Sequence, residues 1–299
     1  MTLTELRYVV AVAETRHFGQ AAERCFVSQP SLSASVKNLE EELGVQLFER
    51  GKRGVFLTEG GEQIVAQARR ALEEAERVKT VARQGRDPLK GVLRLGIIHT
   101  IAPYLLPDLV GALRRSAPDM PLDVEENTTA TLDRMLKAGE LEAVILALPY
   151  EAPGIETVPL YEEDFRVVVP AKHAFARKKT IAVKELDAGE LLLLPVGHCF
   201  RDQVLEACNE FSRPPEAGRQ GNSLETLRSM VASGLGVSVL PATALTPRHA
   251  NPLVKAIEFA EPCPARRVAL ASRRGFHRPA ALEKLVAAIR ALDLPVSPL

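Results

Sequence analysis

Long apolar runs, an excess of charge of either sign, and cysteine are scarce or missing in this 299-residue sequence. No run of about 18 apolar residues occurs, which is the length that a membrane-spanning helix needs. The amino-terminal segment is charged at Glu5, Arg7, Glu14 and Arg16, where a secretory signal peptide has an apolar stretch. We therefore expect neither a membrane span nor a signal peptide, and a cytoplasmic location.

The charges balance, with 38 Lys and Arg against 38 Asp and Glu. A nonspecific nucleic-acid binder usually carries a basic excess, so any DNA contact must come from local patches and dimeric presentation. The four cysteines argue against a structural disulfide framework in a cytoplasmic protein, so a disulfide here would be transient and regulatory. No cofactor and no metal are expected.

Two of the four cysteines, Cys199 and Cys208, flank a segment, 202–207, that has the composition of a helix. In a helix their Cα atoms would lie roughly 13 Å apart along the axis and on opposite faces, so a bridge requires unwinding. Cys199 would lie at or just before the helix N-terminus, flanked by His198 and Arg201, which favours a thiolate that passes through a sulfenic acid, with Cys208 as the resolving thiol. Two inert apolar cysteines, or a zinc site, are the alternatives that spacing alone leaves open.

The amino-terminal region has the pattern of three helices. A capping box, Thr2-x-x-Glu5, predicts an opening helix of about a dozen residues, and a second short helix has Cys25 in its core. Ser28 is the expected N-cap of the third helix. After Gly44, two short β-prone runs surround a basic, Gly-rich tip, which is the pattern of a wing that contacts the phosphate backbone.

Short polar groups on the third helix and basic groups on the wing favour a winged helix-turn-helix. The residues expected to bind DNA are Gln29, Pro30, Ser31, Ser33, Ser35, Lys37, Arg50, Lys52 and Arg53. The alternative is a plain three-helix bundle with a solvated, serine-rich face.

Several motifs resemble those of a known family. The first three resemble the winged-helix signature of LysR-type transcriptional regulators: Phe18-x-x-Ala-Ala22, Val27-Ser-Gln-Pro-Ser-Leu-Ser33 and Leu39-Glu-x-x-Leu-Gly-Val-x-Leu-Phe-x-Arg50. The others resemble the peroxide-sensing OxyR branch of that family: Pro103-Tyr-Leu-Leu-Pro107, Gly197-His-Cys199, Arg201-Asp-Gln203, Cys208 and Ser223-Leu-Glu-Thr-Leu-Arg228. The resemblance covers nearly the whole chain.

The linker after the wing has a heptad seam of mostly small residues: Ile64, Ala68, Ala71, Ala75, Val78 and Ala82. The seam predicts two long helices packed closely in a dimer, and a single amphipathic helix on its own domain is the alternative. Gly85-Arg-Asp-Pro88 marks a hinge. From Val92 onward, alternating strand-like and helical runs predict parallel βαβ construction.

The resemblance implies an α/β protein with a regulatory module similar to periplasmic binding proteins. The expected parts are a winged helix-turn-helix DNA-binding domain at 1–58, a linker and dimerisation helix at 59–87, and a redox-sensing regulatory domain at 88–299. Within the last, subdomain I would comprise 88–161 and 268–299, and subdomain II 162–267.

The resemblance also implies a function: a homo-oligomeric regulator, mainly an activator of oxidative-stress genes, which is switched by a reversible Cys199–Cys208 disulfide and is not an enzyme. The residues expected around the peroxidatic thiol are Thr100, Thr129, His198, Asp202 and Arg266. Arg266 could instead pair with a carboxylate such as Asp202.

The implied partners are double-stranded promoter DNA, RNA polymerase, further copies of the chain in a dimer and tetramer, and a thiol reductant of the glutaredoxin or thioredoxin type. One alternative is a LysR-type regulator that is gated by a small organic effector in the crevice between the subdomains. Another is a thiol peroxidase, against which the DNA-binding signature argues.

Overall fold

The computed structural model describes residues 1–51, 54–83, 87–207 and 220–299, and the chain divides into two compact units, Met1–Asp87 and Pro88–Leu299. The first unit is mainly helical, and the second combines helices with a large sheet. Within the described part of the chain, no helix is both long and apolar enough to cross a membrane.

The first unit has the element order of a winged helix-turn-helix. Its elements are α1 (Leu3–Thr15), α2 (Phe18–Arg24), α3 (Gln29–Leu43), β1 (Phe48–Gly51), β2 (Gly54–Leu57) and α4 (Glu59–Arg83). The predicted capping box is confirmed, because the Thr2 hydroxyl accepts from the Glu5 amide and the Glu5 carboxylate accepts from the Thr2 amide. The predicted cap of α3 is confirmed as well, since the Ser28 hydroxyl accepts from the Ser31 amide.

One carboxylate joins the wing to α3. Oε1 of Glu40 accepts hydrogen bonds from the main-chain N–H of Leu47 at 2.7 Å and of Phe48 at 3.1 Å. Phe48 then begins β1, which pairs antiparallel with β2. Buried main-chain N–H groups need an acceptor, so the entry to the wing depends on this one side chain of α3.

The first turns of α4 pack on their own unit. Val65 and Ala68 are buried in the core that α1, α2 and α3 share, and Ile64 and Ala71 pack against it. Val78, further along α4, is 70 % exposed. The predicted seam is thus divided. Its first residues pack on the core of their own unit, as the alternative of a single amphipathic helix expects, whereas Val78 is an apolar side chain left in solvent.

The second unit contains a mixed sheet with helices on its faces. Its elements are β3 (Leu93–Ile98), α5 (Ala102–Ser116), β4 (Leu122–Asn127), α6 (Thr129–Ala138), β5 (Ala143–Ala147), β6 (Ile155–Pro170), β7 (Thr180–Ile181), β8 (Leu191–Leu192), α7 (Cys199–Ala207), α8 (Leu224–Ala232), β9 (Val237–Pro241), β10 (Val254–Phe259), β11 (Ala265–Arg273), α9 (Pro279–Arg290) and β12 (Ser297–Pro298). The main strand order is β4-β3-β5-β11-β6-β10-β7, β12 and β9 also pair with β6, and β8 pairs with β9.

The parallel construction predicted from the sequence holds for only part of this sheet. β3 pairs in parallel with β4 and β5, and β8 with β9. In contrast, β6 pairs antiparallel with β9, β10 and β11. The physical reason is the path of the chain, because β6 is one 16-residue strand that leaves the first half of the sheet and β11 returns beside it.

β6 and β11 connect two separate apolar cores. We call core I the cluster that contains Leu160 and Val268, and core II the cluster that contains Phe165 and Val167. Along β6 the side chains pass from core I to core II between Tyr161 and Phe165. Polar side chains in this short interval therefore lie at the boundary between the two cores.

Candidate functional site

Cys199 is the first residue of α7, at the helix N-terminus where the sequence predicted it. Its side chain is half-buried and packs against core I, whereas Phe200 and Val204 of the same helix are buried in core II. Gly197, two residues earlier, has φ of 101°, a conformation that L side chains rarely adopt, so the turn into α7 depends on glycine. Unwinding the start of α7 would disturb the packing of both cores at once.

Arg201, the basic residue two positions after Cys199, has a structural role. The Arg201 guanidinium donates to the main-chain oxygen of Leu194 at 2.9 Å, and the Arg201 amide donates to the main-chain oxygen of His198 at 3.0 Å. Arg201 thus fixes the first turn of α7 onto the segment that precedes it. The sequence had suggested Arg201 only as a source of positive charge beside the thiol.

Arg266 is the centre of a buried polar network at the boundary of the two cores. Its Nε and Nη2 pair with Glu163 Oε2 at 2.8 and 2.7 Å, and neither side chain has any exposed surface. Its Nη1 donates to the Thr100 hydroxyl at 2.8 Å, and Nη2 also donates to the Thr100 main-chain oxygen at 3.0 Å. The guanidinium lies over the Phe200 ring, 5.1 Å from its centroid, which links the network to α7.

The suggestion that Asp202 pairs with Arg266 is wrong, because Glu163 is the partner and Asp202 is exposed on α7. Glu163 lies directly opposite Arg266 in the antiparallel register of β6 and β11. Its second oxygen accepts from the amide and the hydroxyl of Thr243, so the carboxylate is fully hydrogen-bonded. Sequence reasoning missed Glu163, and the register of two antiparallel strands is the signal that identifies it.

The predicted threonines follow neighbouring parallel strands. Ile98, at the end of β3, is in register with Asn127 at the end of β4, and Thr100 and Thr129 each follow two residues later. The Thr129 hydroxyl is buried and has no hydrogen-bond partner among the described residues. A buried hydroxyl without a partner is rare in native structures, and it can accept from or donate to a small polar molecule.

Gln203 of α7 also has a buried polar atom without a hydrogen-bond partner among the described residues. Gln203 Nε2 donates to the main-chain oxygen of Leu148 at 2.9 Å, while its buried Oε1 accepts no hydrogen bond from any group that the structure describes. Gln203 also lines a cavity of about 680 Å³ together with Tyr150, Glu206 and Arg266. The cavity lies beside α7 and β11, at the crevice between the two halves of the unit.

Two histidines meet next to the thiol. The His198 and His99 rings are 5.6 Å apart between centroids and tilted by 48°. Nδ1 of His99 lies 3.0 Å from Oε1 of Glu126. Burial, and secondarily the neighbouring His99, hold the pKa of His198 below its usual range. His99 had no role assigned from the sequence.

The remaining two cysteines with described positions lie elsewhere. Cys25, at the end of α2, is half-buried against the core of the first unit. Cys263 packs on core II with its sulfur 3.8 Å from Arg166 Nη1, and burial is the main cause that raises its thiol pKa. Among the residues described, no group of three or more His, Cys, Asp or Glu side chains is placed to hold a metal ion.

The predicted DNA-binding residues of α3 are arranged around its outer side. Gln29, Pro30, Ser31 and Lys37 are exposed, and Ser33 and Ser35 are half-buried. Lys37 forms an exposed pair with Glu41 at 3.4 Å.

Some predicted features fall outside what the structure describes. These are Lys52, Arg53, Cys208, the hinge residues Gly85 and Arg86, and the side chains of Arg50 and Ala82.

Two family models match the chain. The model described as LysR substrate binding domain matches residues 86–293, and the one described as bacterial regulatory helix-turn-helix protein, lysR family, matches residues 3–62. A probable hydrogen peroxide-inducible genes activator of Streptomyces viridosporus is 43% identical over 99% of this chain and 96% of that protein. The DNA-binding transcriptional dual regulator OxyR of Escherichia coli K12 is 38% identical over 97% of this chain and 95% of that protein.

Solved structures agree with these similarities. Full-length OxyR C199D from Pseudomonas aeruginosa matches with a TM-score of 0.80 and 50% identity, over 97% of this chain and 98% of that one. A reduced form of OxyR from N. meningitidis matches with a TM-score of 0.66 and 47% identity, over 70% of this chain and all of that one.

Proposed function

The chain belongs to the LysR family of bacterial transcriptional regulators, in its OxyR branch, and on this premise we propose that it senses hydrogen peroxide through Cys199 and regulates promoters accordingly. The observation that carries the proposal is the position of Cys199, which starts α7 and packs on core I while the rest of the helix is buried in core II. A covalent change at this sulfur is thereby coupled to the packing between the two halves of the unit.

The proposed chemistry has two steps. The Cys199 sulfur attacks one peroxide oxygen, the O–O bond breaks, and the products are a sulfenic acid and water. The Cys208 thiol then attacks the sulfenic sulfur, a second water leaves, and a Cys199–Cys208 disulfide remains. Because the two Cα atoms would be roughly 13 Å apart along a helix, the bridge forms only if α7 unwinds. A thiol reductant of the glutaredoxin or thioredoxin type reverses the reaction.

Three of the proposed pocket residues have distinct tasks. The unpartnered hydroxyl of Thr129 hydrogen-bonds to peroxide. Arg266 is neutralised by Glu163, so its task is to hold the Thr100 hydroxyl and main chain in place. His198 takes and returns a proton. Asp202, exposed on α7, affects the site only through its charge near the helix N-terminus.

DNA binding belongs to the helix-turn-helix of the first unit. We assign the DNA-binding domain to 1–58, the dimerising linker to 59–87 and the redox-sensing domain to 88–299. Within the last, the chain crosses from subdomain I to subdomain II at 161–162 and returns at 267–268. In the oxidised form, a changed packing between subunits of the proposed tetramer alters the spacing of the recognition helices and the contact with RNA polymerase, mainly to activate transcription.

The test compares Cys199→Ser and Cys208→Ser with the wild type after stoichiometric peroxide. Peptide mapping should find one intramolecular disulfide in the wild type, and Cys199→Ser should lose the response outright. Cys208→Ser should stop at the sulfenic acid or proceed to mixed disulfides. Hydrogen exchange within 200–207 should rise on oxidation and fall on reduction.

A second candidate is regulation by a small organic effector, which the cavity of about 680 Å³ beside Gln203 favours. This candidate replaces the first if Cys199→Ser retains full peroxide-dependent transcription, no disulfide is mapped, and exchange in 200–207 stays unchanged.

A further inference from the structure

A second imidazole stands beside the histidine that precedes the proposed peroxide-reactive thiol. His99 follows β3, and its ring contacts that of His198 at 5.6 Å between centroids. Glu126, in the neighbouring strand β4, holds His99 through a 3.0 Å contact between Oε1 and Nδ1. The three side chains come from three separate segments that meet at the same end of the sheet, directly before α7.

The contact with Glu126 fixes the protonation pattern of His99. An ionised carboxylate only accepts hydrogen bonds, so Nδ1 of His99 carries the hydrogen and Nε2 is the nitrogen that gains or loses a proton. A proton on Nε2 makes the ring a cation beside His198. Two adjacent imidazoles repel each other when both are charged, which disfavours protonation of His198.

The other charged groups around this point either have identified partners or are exposed to solvent. Arg266 is paired with Glu163, and the Arg201 guanidinium donates to the Leu194 oxygen. Asp202 is exposed one turn further along α7, and Glu126 reaches the pair through His99. Among the described residues, His99 is therefore the titratable side chain whose ring contacts that of His198.

We propose that His99, held by Glu126, is a positioning residue for the peroxide reaction: it adds to the effect of burial in disfavouring the charged form of His198, so that His198 can accept the proton of the Cys199 thiol. The inference rests on the proposed function of Cys199. It adds an element that tunes how fast the sensor reacts as the surrounding pH falls.

The proton balance of the step shows why neutrality matters. Neutral His198 takes the thiol proton, the sulfur gives two electrons to one peroxide oxygen, and the O–O bond breaks. The departing hydroxide receives the proton from His198 and leaves as water, while the sulfur keeps the other oxygen as a sulfenic acid. A His198 that is already protonated cannot take the thiol proton, and the first step slows.

The experiment measures sulfenic acid formation at Cys199 against pH, with a trapping reagent, in a Cys208→Ser background. Loss of the His99 charge in His99→Gln or His99→Asn removes the repulsion and lets the pKa of His198 rise. We expect a several-fold loss of rate at about pH 6 and an unchanged rate at about pH 8, because histidine changes charge in this range. His99→Lys keeps a cation near Glu126 and should restore the rate at the lower pH.

The matched control is His173→Gln. His173 is another half-buried histidine near a carboxylate, with Nε2 3.9 Å from Glu190, but it caps a turn after β6 and contacts Phe175 instead of His198. Its rate should follow the wild type at every pH. A direct titration of the His198 ring by NMR in Cys199→Ser should show a higher pKa when His99 is replaced by Gln.

Two results would overturn the inference: superimposable pH profiles for His99→Gln and the wild type, or an equal loss at all pH values, which indicates a structural effect. Failure of His99→Lys to restore the rate would also count against it. Failure of the proposed function gives a different result, because Cys199→Ser would then keep the peroxide-dependent transcription of the wild type.

Discussion

At the scale of single residues, two neighbouring ion pairs between β6 and β11 offer a matched comparison. Glu163 and Arg266 are fully buried, whereas the next pair, Glu162 and Arg267, is 37% and 64% exposed at the side chains. Glu163→Gln leaves a buried guanidinium without a counter-charge and should lower the free energy of unfolding by about 3–5 kcal/mol. Glu162→Gln should cost less than about 1 kcal/mol. Urea unfolding measures both, and equal losses would contradict the difference in burial.

Phe26 is a second residue whose conformation makes a prediction. It lies between α2 and α3 with φ of 56°, and its side chain is 96% exposed. The left-handed conformation costs a residue other than glycine roughly 1–2 kcal/mol, and Asn tolerates it better than Phe. Phe26→Asn should therefore raise the free energy of unfolding by about 1 kcal/mol. A lower thermal midpoint for this variant would mean that the ring makes stabilising contacts in the full assembly.

At the scale of elements, the link between α3 and the wing is open to test. Glu40→Ala removes the acceptor of two main-chain N–H groups and should lower the free energy of unfolding by about 1–3 kcal/mol. Affinity for operator DNA should also fall, with a smaller salt dependence, because Leu47 and the start of β1, which lead into the predicted basic tip, lose two hydrogen bonds to α3. Glu40→Gln retains an acceptor oxygen and should lose less. Glu42→Ala, which removes an exposed contact with the amino terminus, serves as the control in unfolding and DNA-titration experiments.

The separation along the chain between interacting residues explains what the sequence could and could not predict. The caps of α1 and α3, and the start of α7 at Cys199, depend on groups within three or four residues, so their signals are local. The pairing of Glu163 with Arg266 depends on the register of strands about a hundred positions apart, which no local pattern encodes. The contact of His99 with His198 likewise arises only when the sheet brings their segments together.

Strand direction was the main misjudgement about the second unit. Apolar runs look alike in parallel and antiparallel strands, and Glu162, Glu163 and Asp164 interrupt the apolar pattern of β6 where the strand passes from core I to core II. The sequence pattern therefore does not reveal that all 16 residues form one continuous strand. The buried polar pair at this boundary follows from that continuity, because only a continuous β6 places Glu163 opposite β11.

At the scale of the whole molecule, the proposed signal needs a dimer, and α4 offers an apolar residue for it that its own unit leaves in solvent. Val78 is 70% exposed, whereas Ala71 packs on the core of the first unit. Val78→Glu places a charge in the proposed contact between two helices and should dissociate the dimer, because an unpaired buried carboxylate is costly. It should leave the thermal midpoint of a monomeric unit unaffected.

Ala71→Glu is the informative comparison, since it puts the same charge against the unit's own core and should lower the stability of the unit itself. Light scattering measures the mass and circular dichroism the thermal midpoint of each variant. If Val78→Glu keeps the wild-type mass, α4 is not the dimer contact, and a peroxide signal from α7 would have to reach the recognition helices through another surface. If both variants lose mass and stability together, α4 contributes to the dimer only by completing the fold of the first unit.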